Sequence, residues 1–248
     1  MASILVVGTG DIGGHLAQDL AREGHDVTGI RRSNKPVGEG VRVISADVAD
    51  GTTLTDLPQD IDIVVYSVAA PVFSKEGYHA YYVKGLKNVL KKLKGQTPKR
   101  VFFVSSSSVY HQMNAEWVDE TSETSPTSFA GKEMLAAEKV LLDSAFDGTV
   151  VRFTGIYGPG RERMIQQARH GGYCDPEPEV WTNRIHRDDC LGTLKFLINR
   201  ALTDQPLDDC YLATDNEPAT LYDVLEWMKD RIGEVDPDHD VGEVSRRA

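Results

Sequence analysis

Apolar and polar positions along this chain follow two rhythms that take turns. Short, nearly continuous apolar runs fall at 4–7 (ILVV), 27–30, 41–45, 61–66 (IDIVVY), 100–105 (RVFFVS) and 149–153. Runs of that length, rich in β-branched residues, predict strands buried on both faces. Between them the spacing becomes helical. Leu16, Ala17, Leu20 and Ala21 share one face after the first run, and longer helical patterns cover 78–93 and 128–146. The second helix closes on Lys91, Lys92 and Lys94 before Gly95, cations where a helix C-terminus favours them. The third carries Leu135, Glu138, Leu142 and Phe146 broadly along one side. Further on, the pattern predicts a helix over 161–170, one running to Asn199 and capped by Asp188 or Asp189, and a strand at 210–213. A last helix is capped by Thr220 and keeps Leu221, Val224, Leu225, Met228 and Ile232 on its apolar side. Strand and helix alternate with short connections and no internal repeat, which predicts an α/β fold, a doubly wound parallel sheet with helices on both faces. From Asp236 the chain is acidic, with Pro237 and Gly242, and reads as disordered.

At 248 residues the chain is long enough for one large α/β domain, 1–155, and a smaller mixed lobe, 156–248, that returns a strand and a helix to the core. A net charge of -11 makes nucleic acid and anionic membrane poor default partners, although a local basic pocket remains compatible with a phosphate. Cys174, Cys190 and Cys210 are far apart and odd in number, so neither a disulfide framework nor a metal site is predicted. They read as reduced, mostly structural thiols of a cytoplasmic protein. The N-terminus enters a strand without a signal-peptide pattern, and no apolar run reaches membrane-spanning length.

The candidate chemistry gathers where strands end. Gly8-x-Gly10-x-x-Gly13 stands between the first strand and the first helix, in the context that turns a weak motif into a dinucleotide loop. Gly8 serves the tight turn, Gly10 leaves backbone bare for a diphosphate, and Gly13 allows close helix–strand packing. Asp11 and Ile12 lie at the helix N-terminus beside them. The acid expected some 20 residues on, for the ribose 2′-OH of NAD, is replaced by Arg31-Arg32. Guanidinium groups there suit the 2′-phosphate of NADP and make NAD less favoured; a solvated basic turn is the plainer alternative. Asp47-Val48 closes the third strand, where Asp47 either meets an adenine or caps the following turn. Val68, Ala69 and Ala70 follow the fourth strand and are small enough to let a cofactor approach the backbone.

Several segments, in order, resemble the extended short-chain dehydrogenases/reductases, the NAD-dependent epimerase/dehydratase family. They are VVGTGDIGG (6–14), FFVSSSSVY (102–110), PTSFAGKEMLAAE (126–138), VRFTGIYGPG (151–160) and NRIHRDD (183–189). The resemblance covers most of the chain to about residue 232. It implies an NAD(P)-binding Rossmann fold with a small C-terminal substrate lobe, here shorter than the family's. It also implies coenzyme contacts at Ser105, Phe153, Gly155 and Ile156 and a substrate contact at Tyr157. Arg161, with Arg163 and Arg169, either meets an anionic substrate or is surface charge, and His186 either faces the cleft as a substrate contact or has no part in the site. The implied substrates are nucleotide sugars or related small carbonyl and hydroxyl compounds, and the implied assembly is a homodimer through two long helices.

The family's proton relay is Pro-x-x-x-Tyr-Gly-x-x-Lys-x-x-x-Glu. Laid without gaps, it matches Pro126, Gly131 and Glu138, but puts Ala130 at the tyrosine and Met134 at the lysine. Lys132 lies about 200° round a helix from Met134 and faces the wrong way. Val7 also departs from the family's first glycine. The substrate-orienting serine aligns with Ser106, with Ser107 beside it, and Tyr110, His111 and Lys132 are the candidates for another relay; Tyr110 as packing, His111 as loop and Lys132 as solvated helix are their plainer readings. Two functions follow: an atypical enzyme of this family, or a non-catalytic NADP(H) sensor or scaffold. RNA association is disfavoured by the acidic charge.

Overall fold

The structure, a computed structural model, describes residues 1–112 and 114–232; the acidic stretch from Asp236 lies outside the described residues. Strand β1, Ser3–Val7, feeds helix α1, Asp11–Arg22, and then β2, Asp26–Arg31, and β3, Val41–Ser45. Strand β4, Ile63–Tyr66, leads into α2, Lys75–Tyr78, a π-helical stretch, His79–Lys84, and α3, Gly85–Lys92. Next come β5, Arg100–Ser106, α4, Phe129–Leu142, and β6, Gly148–Phe153. The rest of the chain supplies β7, Gly155–Tyr157, α5, Arg163–Arg169, β8, Trp181–Thr182, β9, Arg184–His186, and α6, Arg187–Leu202. It ends on β10, Cys210–Ala213, β11, Ala219–Thr220, and α7, Leu221–Ile232.

Seven of these strands form one parallel sheet in the order β3-β2-β1-β4-β5-β6-β10. Successive side chains on a strand point to opposite faces. Ile4 and Val6 therefore pack with Leu16, Leu20, Leu194 and Ile198 of α1 and α6, while Leu5 and Val7 pack with Leu86, Val89, Met134 and Leu141 of α3 and α4. Both faces are covered, which is why the central strands read as unbroken apolar runs. The chain leaves β1 in one direction for β2 and β3 and returns past it to β4, and the crevice opens at that reversal.

Three elements depart from the sequence expectation. The helix expected over 78–93 starts earlier and is interrupted by the π-helical stretch. The buried phenol of Tyr66 needs an acceptor and donates to the Tyr81 carbonyl, and a Cβ on Gly85 would stand 2.5 Å from that hydroxyl. The widened turn accommodates a side chain from the strand beneath. Helix α4 begins as expected, with Ser128 Oγ accepting the Gly131 N–H at 3.1 Å, but ends at Leu142 instead of Phe146. There the Ser144 hydroxyl takes the Phe146 N–H and turns the chain.

The third departure corrects the cap of α6. Strand β9 runs directly into this helix, so the capping position falls on its last residue, His186, and not on Asp188 or Asp189. His186 Nδ1 accepts the Asp188 N–H at 3.3 Å, and the two aspartates occupy the first turn, where the helix dipole favours them. His186→Ala is expected to lower stability by about 1 kcal/mol, and His186→Asn to restore most of it. Thermal denaturation would register this as a shift of roughly 2–4 °C.

Candidate functional site

The glycine loop is shaped by close approaches that only glycine permits. Gly8 has φ +91°, and a Cβ there would lie 2.6 Å from the Ser67 carbonyl oxygen. A Cβ on Gly13 would lie 2.2 Å from the Gly8 carbonyl oxygen, so α1 meets the end of β1 almost without a gap. Gly8 and Thr9 both donate their N–H groups to Ile30, at 2.9 and 3.2 Å, which ties the loop to β2. Gly10 faces open space. Thr9 is 4% exposed, and its Oγ1 is a buried side-chain oxygen with no hydrogen-bond partner among the described residues.

On the side of β2 and β3, a tyrosine from the π-helical stretch connects the predicted residues. Arg32 lies over the Tyr81 ring at 5.5 Å, with Nη1 3.4 Å from the Tyr81 hydroxyl, and that hydroxyl donates to Asp47 Oδ2 at 3.0 Å. Asp47 Oδ1 accepts the Ala49 N–H at 3.0 Å, so the turn-capping alternative for this residue is realised. Among the described residues Arg31 reaches only the Lys35 carbonyl, at 3.4 Å, and it is partly exposed. Val48 is buried in the core, Val68 packs at its edge, and Ala69 is exposed. Nothing in the helical spacing of Tyr81 distinguished it from a packing residue; the widened turn is what presents it.

The serine run occupies the end of β5. Ser106 Oγ accepts the Ser108 N–H at 3.2 Å and starts a 3-10 turn over Ser107–Val109. Gly131 lets α4 pass beneath, since a Cβ would sit 2.2 Å from the Ser108 carbonyl oxygen. Ser105 is buried and donates to Glu138 Oε1 at 2.5 Å. The Glu138 carboxylate pairs with Arg152 through both oxygens, Nε–Oε1 3.1 Å and Nη2–Oε2 2.7 Å. Arg152 Nη1 then donates to the Tyr110 hydroxyl at 2.8 Å, which donates onward to the Asp119 carbonyl at 2.8 Å. Burial above all raises the Tyr110 pKa despite the adjacent Arg152, which lowers it, so the phenol stays protonated. Its one proton is committed to Asp119. That geometry is a brace beneath the serine loop.

Ala130 sits in the first turn of α4 and Met134 is buried among the core residues of the next. His111 and Lys132 are exposed. A pair that the sequence pattern did not reveal lies beside them: His79 Nδ1 is 2.9 Å from Glu133 Oε2, with the glutamate almost buried and the imidazole exposed. A carboxylate on Nδ1 orients the ring with Nε2 outward. Phe73, Tyr78 and Phe129 form an aromatic wall next to this pair, ring centroids 4.8–5.5 Å apart.

The second half of the chain reaches back to the start of α1. Phe153 is buried in the core, while Gly155 and Ile156 continue into β7, which pairs with β9. That pairing sets Tyr157 opposite His186, rings edge to face at 5.2 Å. Arg161 Nε donates to Asp11 Oδ2 at 2.7 Å, across 150 residues of sequence. Cys190 and Cys210 are pushed up to about 12 and about 11 by burial, which keeps both thiols protonated. Among the described residues there is no cluster that could hold a metal ion and no helix long and apolar enough to cross a membrane.

The model of the NAD dependent epimerase/dehydratase family matches residues 4–187, from the first residues of β1 through β9. The chain belongs to that family. A solved structure of a putative NAD-dependent epimerase/dehydratase from Methylobacillus flagellatus is 42% identical, with a TM-score of 0.81 over 97% of this chain and 85% of that one. Protein YeeZ of Escherichia coli (strain K12) is 26% identical over 211 residues, which is 80% of this chain and 73% of the relative. MoeE5, solved in complex with UDP-glucuronic acid and NAD, is 23% identical with a TM-score of 0.73 over 92% of this chain and 82% of that one, a likeness of fold.

Proposed function

We propose that this chain binds NADP at the glycine loop and acts as an atypical enzyme of its family on a nucleotide sugar or a related small carbonyl or hydroxyl compound. The observation that carries the reading is the replacement of an acid by Arg31-Arg32 at the end of β2, beside a loop built for a diphosphate. The fit of the residues to such a coenzyme rests on two features of the loop. Gly8 and Gly13 hold it in a cradle that a Cβ would fill, and Thr9 Oγ1 is a buried oxygen still wanting a partner. In this reading Gly8, Gly10, Asp11, Ile12 and Gly13 hold the diphosphate, largely through backbone. Arg31 and Arg32 take the 2′-phosphate, with Arg32 steadied by Tyr81. The loops at Asp47-Val48 and Val68–Ala70, with the backbone at Ser105, Phe153, Gly155 and Ile156, border the remainder. Bound there, the coenzyme supplies hydride acceptance and donation.

Ser106 and Ser107 orient the substrate oxygen, and Tyr157 and His186 border the substrate from β7 and β9. Ala130 and Met134 stand where the family has its tyrosine and lysine and can carry no proton. The geometry around Tyr110 favours a positioning role for it. The second reading, a non-catalytic NADP(H) sensor, is favoured by the burial of Met134 within an apolar core.

Fluorescence titration with NADPH and NADH tests the coenzyme assignment. The parent is expected to favour NADPH at least tenfold, about 1.4 kcal/mol, and Arg31→Asp to abolish the preference. Equal affinity of the parent for the two coenzymes would refute NADP.

A further inference from the structure

Two arginines from the second half of the chain converge on the first residue of α1. Arg161, in the loop between β7 and α5, holds Asp11 Oδ2 through Nε at 2.7 Å. Arg187, the first residue of α6, places Nη1 3.8 Å from Asp11 Oδ1. The two differ in what they have left to offer. Arg187 is 14% exposed, donates Nη1 to the Pro159 carbonyl at 3.3 Å and pairs through Nε with Asp188 at 3.2 Å. Its guanidinium is enclosed and engaged. Arg161 is 33% exposed and uses Nε alone; neither of its Nη groups makes a hydrogen bond among the described residues.

Asp11 follows Gly10 directly, and its main-chain N–H is one of the first-turn donors that no helical carbonyl can take. Two residues earlier stands Thr9, 4% exposed, with its unpartnered hydroxyl oxygen. A carboxylate by itself at this helix start would repel an anion. Here two guanidinium groups flank it. The carboxylate on Nε also fixes the orientation of Arg161 and leaves Nη1 and Nη2 as a fork of donors, the arrangement that matches two oxygens of a phosphate group.

We propose that Arg161 is a ligand of the coenzyme's diphosphate, positioned by Asp11, with Arg187 as the brace that holds the 158–161 loop against the glycine loop. This rests on the reading of the glycine loop as the coenzyme site. It moves Arg161 from the substrate to the coenzyme. It also makes the second half of the chain part of the coenzyme site, so that coenzyme affinity depends on β7 and α6 being in place.

The experiment compares the parent with Arg161→Gln and Arg161→Lys, using NADPH, NADH and adenosine 2′-monophosphate, the last measured as a competitor of NADPH because it lacks the diphosphate. Arg161→Gln is expected to weaken NADPH and NADH by the same factor, about tenfold, since both carry the diphosphate. Arg161→Lys should fall between, because it keeps the charge and loses the fork. Adenosine 2′-monophosphate should bind the variant and the parent alike. Unchanged NADPH affinity in Arg161→Gln would overturn the inference while leaving the site intact. So would an equal loss for adenosine 2′-monophosphate, which is what a general loosening of the loop produces. A parent that binds neither coenzyme would instead remove the site itself.

Discussion

Glu138→Ala is expected to destabilise the fold by about 3–5 kcal/mol, because it strands a buried cation. Glu138 is 1% exposed and Arg152 is 7% exposed, and they are joined by two hydrogen bonds at 2.7 and 3.1 Å. Burial opposes the Arg152 cation, yet the bonds and charge of Glu138 hold its pKa above the ordinary guanidinium value. With the carboxylate gone, Arg152 cannot deprotonate at any working pH, and must break out of the core or remain there unpaired. The loss spreads through the chain of bonds. Ser105 loses its acceptor, and the Arg152 guanidinium that supports Tyr110 beneath the serine loop is released. For a chain of this length a drop on the order of 10 °C in Tm is expected. A double change, Glu138→Met with Arg152→Leu, removes both charges and should recover much of the stability. A Tm within 2 °C of the parent for Glu138→Ala would show that the pair is not the brace described.

Gly13→Ala is expected to have the other large effect, and to act together on the fold and on the coenzyme site proposed above. The added methyl would stand 2.2 Å from the Gly8 carbonyl oxygen and 3.2 Å from Val6 Cγ1. Neither neighbour yields easily: Gly8 is itself held at φ +91° against Ser67, and Val6 lies in the central strand. Helix α1 must therefore lift from β1 or the loop must open, at about 1–3 kcal/mol by the general measure of overpacking. Either movement displaces the Asp11 and Ile12 N–H groups, and NADPH affinity should fall at least a hundredfold, about 2.7 kcal/mol. Gly10→Ala is the comparison, since its Cβ would meet nothing within 4 Å. It should leave Tm much closer to the parent while still obstructing the diphosphate. Chemical denaturation and NADPH titration of both variants separate the two effects, and undiminished binding by Gly13→Ala would contradict the packing argument.

The order of strands and helices was readable because it rests on local periodicity. Each apolar run from 4–7 to 149–153 became a strand of the parallel sheet, although the run at 41–45 forms the edge strand β3 and is only partly buried, and the glycine spacing marked the turn between β1 and α1. One boundary shifted where a distant side chain intervened, and two where a residue close in sequence took up an N–H group. Tyr66 reaches into the helix above β4 and widens it at Tyr81, and β9 runs on into α6 so that His186 takes over the capping position. Arg31 and Arg32 were legible as basic residues in an unusual place. That Tyr81 props Arg32 was not, because helical spacing carries no mark of which strand end a residue will overlie.

By itself, then, the sequence determined the α/β class and the glycine loop, since the buried runs, the helical spacing and the Gly8-Gly10-Gly13 turn are each a matter of residues within one turn or one strand of each other, and the alternation of those elements pointed to the parallel sheet. Only the tertiary structure decided that Glu138 and Arg152 share a buried site, that His79 meets Glu133, and that Arg161 returns to Asp11. Those meetings depend on which strands lie side by side and on how helices settle across them. The physical reason is range: hydrophobic periodicity and turn chemistry act over a few residues, while contacts across 54 or 150 positions are fixed by the packing of the whole sheet.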